Sequence, residues 1–410
     1  MRLAPLVIPP FAALVAIFAA CSSDNGESGG SSSGGPDGSA FEASCTGSSG
    51  TSGTSGSSGS NEGGANDAGD GSAGTPAIQY VGRFDFTNAN APRTSWPGGC
   101  IVARFEGTGV KAKLGSTAGG DGNETWVNLV VDGAEKTPVK VDGPGQEVAI
   151  ASGLGAGPHV VEIEKRTEPK WGTLTFEGFT FEGGGKLLAP PPSPARRIEW
   201  VAESTIDGFG VEGDLDTTCN GDAPAKFDNA RKSVAFHASK TLSAERYLIA
   251  LSAKGVVQNE PGDNTGVFYP SIYTRTLADD PASVWNFASW TPDVVVISLG
   301  GADLGNGTTL PNGFQAAYDT FVSSIRTRYP NAHIIMTIWS QIKGAARTSL
   351  DTALQGVKSA HASDSKLHVF AFNEADFPGD ETGCYYHAND AHHQETAAEI
   401  VTFIKSKTGW

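Results

Sequence analysis

Positive charge is scarce in this chain. Its 29 lysines and arginines stand against 45 aspartates and glutamates, a formal net charge of −16. Nucleic-acid phosphates would be repelled by such a balance, so a neutral or sugar-like partner is expected instead. Cysteine is also sparse: five in 410 residues, with no C-x-x-C spacing, which removes the usual signature of a zinc site. Between Ser22 and about Thr75 almost no large apolar side chain occurs, and Gly, Ser, Asp and Asn dominate. Such composition buries too little surface to offset chain entropy, so residues 22–76 are expected to be a disordered tether. A Gly/Ser coil of about 54 residues reaches roughly 40 Å root-mean-square.

The remaining apolar material begins at the N-terminus. Arg2 precedes a largely apolar run from Leu3 to Ala20, ending Phe18-Ala19-Ala20-Cys21. A short positive region, an apolar segment and small residues before the break form a secretory signal over residues 1–21. Cys21 directly after Ala-Ala resembles a bacterial lipobox, with Phe18 in place of the usual aliphatic residue. Pro9-Pro10 argues against a permanent membrane span. The expectation is an exported lipoprotein at the outer membrane or cell surface, held only by its lipid anchor; plain secretion is the alternative. Export permits disulfides. Cys219 and Cys384 share the later part of the chain and are the expected pair, while Cys45 lies in the tether and its pairing with Cys100 stays open.

Residues 77–188 read as β structure. Segments 80–86, 101–107, 125–133, 146–151, 159–165 and 173–181 alternate or run apolar between Gly, Asp and Pro turns, as in a sandwich or jelly roll. Residues 189–197, with Pro190, Pro191, Pro192 and Pro194, form a stiff linker. From residue 198 to 410 buried strands (198–201, 247–251, 294–299, 334–338, 367–372) alternate with segments of helical spacing. Examples are Phe227, Ala230, Val234 and Ala238, then Phe314, Ala317, Phe321 and Ile325, then Ala397, Ile400 and Phe403. That alternation predicts an α/β three-layer domain on a parallel sheet.

Ligands collect at the carboxyl ends of such strands. Read in order, those ends carry Ser204, then Ser252–Gly255 and Asn259, then Gly300-Gly301-Ala302-Asp303, and finally the loop with His387. A serine nucleophile needs a base within hydrogen-bond reach and donors for the developing oxyanion. Ser204 offers the nucleophile, His387 the base, and Gly255 a backbone amide without side-chain obstruction.

These blocks resemble an SGNH (GDSL-type) hydrolase, and more narrowly the carbohydrate esterases of family two, which join an N-terminal jelly roll to a C-terminal SGNH domain. The resemblance runs from about residue 79 to the end. It rests on 81–86 (VGRFDF), 95–110, 131–133, 157–168 (GPHVVEIEKRTE), 196–200, 203–210 (ESTIDGFG), 253–259 (AKGVVQN), 292–303 (PDVVVISLGGAD) and 383–394 (GCYYHANDAHHQ). It implies removal of acyl groups, typically acetyl, from acylated polysaccharide or oligosaccharide. Ser204 would be the nucleophile and His387 the base, with the Ser204 and Gly255 amides as oxyanion hole. No metal or organic cofactor is implied, and nothing points to an obligate partner, so a monomer is expected.

The chain departs from the family pattern in three places. Glu203 replaces the aspartate before the serine. Ala302 replaces the side-chain oxyanion donor, a loss typically of about 100- to 1,000-fold in rate. Tyr385 stands where an acid two residues before the histidine is expected, and a neutral phenol cannot stabilise imidazolium as a carboxylate does. Some family members resemble a Ser-His dyad oriented by a backbone carbonyl. Glu203, Asp303 and Tyr385 are therefore supporting candidates, with Asp303 read chiefly as an acceptor for loop amides. Asp207 and Asp390 are possible substitutes for the missing acid. His392 and His393 lack ligand spacing and read as solvated helix-start residues rather than a metal site. Trp339, at a strand end, is a candidate sugar platform, equally read as core. The competing function is a catalytically weak or inactive glycan-binding surface lipoprotein that retains the esterase fold.

Overall fold

The computed structural model describes residues 44–46, 75, 77–119, 124–214, 219, 224–305, 307–375 and 382–410. The expected signal segment, Cys21 and most of the tether lie outside these residues. No helix among them is long and apolar enough to cross a membrane.

The first domain carries β1 (Gln79–Val81), β2 (Arg93–Thr94), β3 (Cys100–Glu106), β4 (Gly109–Thr117), β5 (Trp126–Val131) and β6 (Ala134–Glu135). It continues with β7 (Val139–Lys140), β8 (Gln146–Ser152), β9 (Pro158–Lys165), β10 (Thr173–Glu182) and β11 (Lys186–Leu187). Among the described residues these form two antiparallel sheets, β1-β3-β9-β5-β6 with β7 and β11 at its margins, and β2-β10-β4-β8. Ile101, Ala103 and Phe105 from one sheet meet Val110, Ala112, Leu114 and Phe176 from the other in a buried core. Strand β4 went unread in the sequence, although Val110, Ala112 and Leu114 alternate with Lys111 and Lys113 as a half-buried strand should. The expected strand 80–86 stops at Val81, because Gly82 takes φ +108° and the chain turns there.

The second domain carries β12 (Arg196–Ala202), α1 (Val234–Thr241), β13 (Ala244–Ala250), α2 (Tyr269–Ile272), β14 (Val294–Ser298) and α3 (Gly301–Leu304). It ends with α4 (Phe314–Arg328), β15 (His333–Ile338), α5 (Gly344–Ala360), β16 (Leu367–Ala371) and α6 (Asp390–Thr408). Its sheet runs β13-β12-β14-β15-β16, parallel throughout. The order reverses at β12, so a crevice opens beyond the carboxyl ends of β12, β13 and β14. Of the segment from Phe227 to Ala238, only Val234 onward is α-helix; the earlier part forms two 3₁₀ turns, Pro224–Phe227 and Ala230–Lys232. Helix α5 was missed in the sequence; its buried stripe is Leu350, Ala353, Leu354 and Val357.

The prolines do not hold the domains apart. Val81, Trp96, Val102 and Val160 of the sandwich share one core with Val201, Tyr247, Ile249 and Tyr273 of the α/β domain. Arg83 is fully buried across this junction, donating to Glu199 Oε1 at 3.0 Å and lying 4.9 Å from the Tyr273 ring centre. One part of the expected tether is also fixed. Cys45 is 0% exposed and bonded to Cys100. Its amide donates to Glu162 Oε2 at 2.7 Å, and the Ser44 hydroxyl donates to Glu162 Oε1 at 2.8 Å. Composition alone therefore misjudged Ser44–Thr46, where a disulfide and a buried carboxylate supply what apolar burial does not.

Candidate functional site

Ser204 follows β12 by two residues, in a turn at the carboxyl edge of the sheet. The loop before α6 brings His387 across to it: the Ser204 hydroxyl and His387 Nε2 lie 2.8 Å apart. The other ring nitrogen, Nδ1, meets the Tyr385 carbonyl at 3.1 Å and the Cys384 carbonyl at 3.2 Å. Carbonyls only accept, so the proton must sit on Nδ1 and Nε2 is left to accept from Ser204. Burial pushes the imidazole below its ordinary value, against the upward pull of the two carbonyls. A neutral ring at pH 7 is a competent base.

The loop geometry explains how carbonyls replace an acid. Tyr385 and Tyr386 both take left-handed backbone, φ 51° and 60°. Two consecutive non-glycine residues in that region are costly unless the surroundings impose them. Here the Cys384 amide donates to the Gly210 carbonyl at 3.0 Å, the Gly383 amide donates to the His387 carbonyl at 2.7 Å, and Cys384 is bonded to Cys219. The Phe209 ring packs on the His387 ring at 4.7 Å. Tyr385 thus meets the His387 ring through its backbone carbonyl, while its side chain is 49% exposed. Neither candidate acid reaches the imidazole. Asp207 accepts the Phe209 amide at 2.8 Å, and Asp390 pairs with His237 at 2.7 Å.

Around Gly255 and Ala302 the backbone is held by carboxylates. Asp303 accepts from the amides of Val256 and Val257 at 2.8 Å and of Gln258 at 3.0 Å, so it is the loop acceptor expected from the sequence. A Cβ at position 255 would run into the Gln258 carbonyl and lie 2.6 Å from Asp303 Oδ2, which is why glycine stands there. The Gly255 amide donates to Asn259 Oδ1 at 3.2 Å; the Ser204 amide has no acceptor among the described residues. Glu203 accepts the Gly301 and Ala302 amides, both at 2.8 Å. Burial pushes its carboxyl up to about 8, against the downward pull of those two amides. The Gly301 and Ala302 amides are thus held by Glu203, and the Ala302 side chain is a methyl group with no donor to offer.

Trp339 is corrected to a core residue. It is 2% exposed and packs on Phe372 at 5.1 Å and His393 at 5.8 Å, which leaves no open ring face for a sugar. It borders a cavity of about 380 Å³ lined also by Glu203, Thr205, Leu304 and Gln341. His392 and His393 point into the fold rather than to solvent: the first meets Ser340 Oγ at 3.1 Å, the second accepts the Val234 amide at 3.2 Å. Sequence reasoning missed Phe209 and Glu168, while Asn259, read there as a strand-end residue, accepts the Gly255 amide. Glu168 closes the segment 157–168 already marked by the resemblance, and that position was the available signal.

Comparison with known proteins places the chain in a family. Residues 80–191 match the family model described as carbohydrate esterase 2 N-terminal, and residues 204–397 match the GDSL-like lipase/acylhydrolase family. Cellulase/esterase CelE of Acetivibrio thermocellus is 32% identical over 340 residues, covering 82% of this chain; the chain spans 40% of that longer relative. An acetylxylan esterase / glucomannan deacetylase of Cellvibrio japonicus is 24% identical over 83% of this chain and 91% of its own length. A solved family two carbohydrate esterase from Clostridium thermocellum, in complex with cellohexaose, is 32% identical. It superimposes with a TM-score of 0.74 over 82% of this chain and 100% of that one. With both halves matched in order and the whole of a solved member covered, the chain belongs to carbohydrate esterase family two.

Proposed function

We propose that this protein is an exported serine esterase that removes acetyl groups from polysaccharide or oligosaccharide esters. The observation that carries the reading is the 2.8 Å contact between Ser204 Oγ and His387 Nε2, with Nδ1 turned to two carbonyls. Ser204 Oγ attacks the acetyl carbonyl while His387 Nε2 takes its proton. The tetrahedral oxyanion faces the Ser204 amide, with the Gly255 amide joining as it gives up or shares Asn259 Oδ1. His387 returns the proton to the departing sugar oxygen, which breaks the ester and leaves an acetyl-serine. Water, deprotonated by His387, then releases acetate and restores Ser204.

The names of the relatives and the bound cellohexaose of a solved one support a β-linked polysaccharide as the carrier of the acetyl group. The sandwich, which we read as a jelly roll, shares a buried core with the α/β domain, which argues against a detachable binding module. Cys21 would carry the lipid, with the intervening polar chain holding a monomeric body off the membrane. The missing donor at Ala302 favours a second reading, a slow esterase kept for glycan binding. One assay separates the two. Acetate release from acetylated xylan and glucomannan is measured for the wild type, Ser204→Ala and His387→Ala. Release by the wild type that both variants abolish supports the esterase. Equal background rates in all three end that reading, and glycan binding retained by Ser204→Ala then supports the second.

A further inference from the structure

The sandwich sends one carboxylate to the edge of the cleft. Glu168, just beyond β9, is 1% exposed. Its Oε2 accepts the Ser252 amide at 2.6 Å, and its Oε1 accepts the Ser252 hydroxyl at 2.6 Å and lies 3.2 Å from Lys170 Nζ. An amide, a hydroxyl and an ammonium form a donor set suited to a carboxylate anion. Ser252 heads the turn that presents Gly255, and the next residue, Ala253, takes left-handed backbone with φ 65°. On its other side the same pair reaches the base: Lys170 Nζ lies 4.5 Å from the centre of the Phe209 ring, which packs on His387.

We propose that Glu168 is a positioning residue for the Ser204–His387 pair, clamping the Gly255 turn and supplying, from beyond Lys170 and Phe209, the negative charge that the two carbonyls at Nδ1 lack. The proposal rests on the esterase reading. Among the described residues, the charged and titratable groups near His387 include Glu168 and Lys170 from the sandwich, Asp207 from the Ser204 loop, and Asp390 and His393 from α6. Asp390 is committed to His237. Burial, followed by the proximity of Glu168, pushes the carboxyls of Asp207 and of nearby Asp228 well above their ordinary value. Burial pushes His393 down, to about 3. Glu168 and Lys170 are thus left as opposed charges acting on the imidazole, the first raising its pKa and the second lowering it.

The test uses the full chain with Glu168→Gln and Lys170→Met. Imidazole NMR titration of His387 without substrate is read beside the pH profile of kcat/KM on 4-nitrophenyl acetate. Neutralising Glu168 should lower the His387 pKa by about half a pH unit, and neutralising Lys170 should raise it by a similar amount. Glu168→Gln should also lower kcat about tenfold, with KM changed less than twofold. A Lys170→Met shift in the predicted direction keeps the electrostatic half testable should Glu168→Gln fold poorly. Titrations that stay in place in an active enzyme, or that move in the same direction in both variants, overturn the proposal. Opposed shifts in a protein that releases no acetate from any ester support the placement of Glu168 and overturn the esterase reading instead.

Discussion

Replacing both Cys219 and Cys384 with serine separates what holds the fold from what holds the base. The bond closes a segment of 165 residues. Loop-closure entropy for that length gives about 5 kcal/mol of stabilisation, an upper figure because unfolded chains keep residual structure. The His387 loop, however, has other ties: the Cys384 amide on Gly210, the Gly383 amide on His387, and the Phe209 ring on the imidazole. Two backbone hydrogen bonds at about 1 kcal/mol each favour the closed loop by roughly 2 kcal/mol, about thirtyfold. The double variant should therefore lose several kcal/mol in urea unfolding and yet keep kcat within about twofold. Unfolding curves and acetate release on the same preparation check both. A kcat reduced 100-fold in a folded variant would refute the reasoning, because the disulfide itself would then be what orients the carbonyls. Unchanged unfolding would refute the other half.

Two further outcomes follow from the same contacts. Burial depresses the His387 pKa, so the neutral base persists as pH falls through the ordinary imidazole value of about 6.5. The acid limb of kcat/KM should accordingly lie below that pH, and a limb above 7 would contradict the burial argument. The Ser44–Cys45 clip should matter to stability. Deleting residues 1–43 should leave the melting temperature within about 2 °C, because the clip survives. Deleting residues 1–46 with Cys100→Ser should lower it by about 5 °C or more, since Glu162 is left buried without its amide and hydroxyl donors. Equal melting temperatures for the two truncations would show the clip to be idle.

The five parallel strands were legible because a sheet covered on both faces reads as short apolar runs, and Val294–Ser298 and His333–Ile338 are of that kind. Ser204 and His387 were legible as residues because strand ends carry chemistry in such sheets. Helix α5 was harder, since Leu350, Ala353, Leu354 and Val357 are its only buried residues in 17. The partners of the site were not legible. Glu168 meets Ser252 across 84 positions and across a domain boundary, and no local pattern encodes such a contact.

The sequence by itself determined the acidic character, the polar N-terminal segment, the order of a β domain before an α/β domain, and the residue types at the strand ends. Those follow from composition and period, which are local properties. Only the tertiary structure decided that the Tyr385 carbonyl meets the His387 ring and that Glu203 accepts two amides. It alone decided that Trp339 belongs to the core and that Ser44–Thr46 is pinned. Each of these depends on which backbone groups and rings meet at a distance in the chain, and that is set by packing, not by pattern.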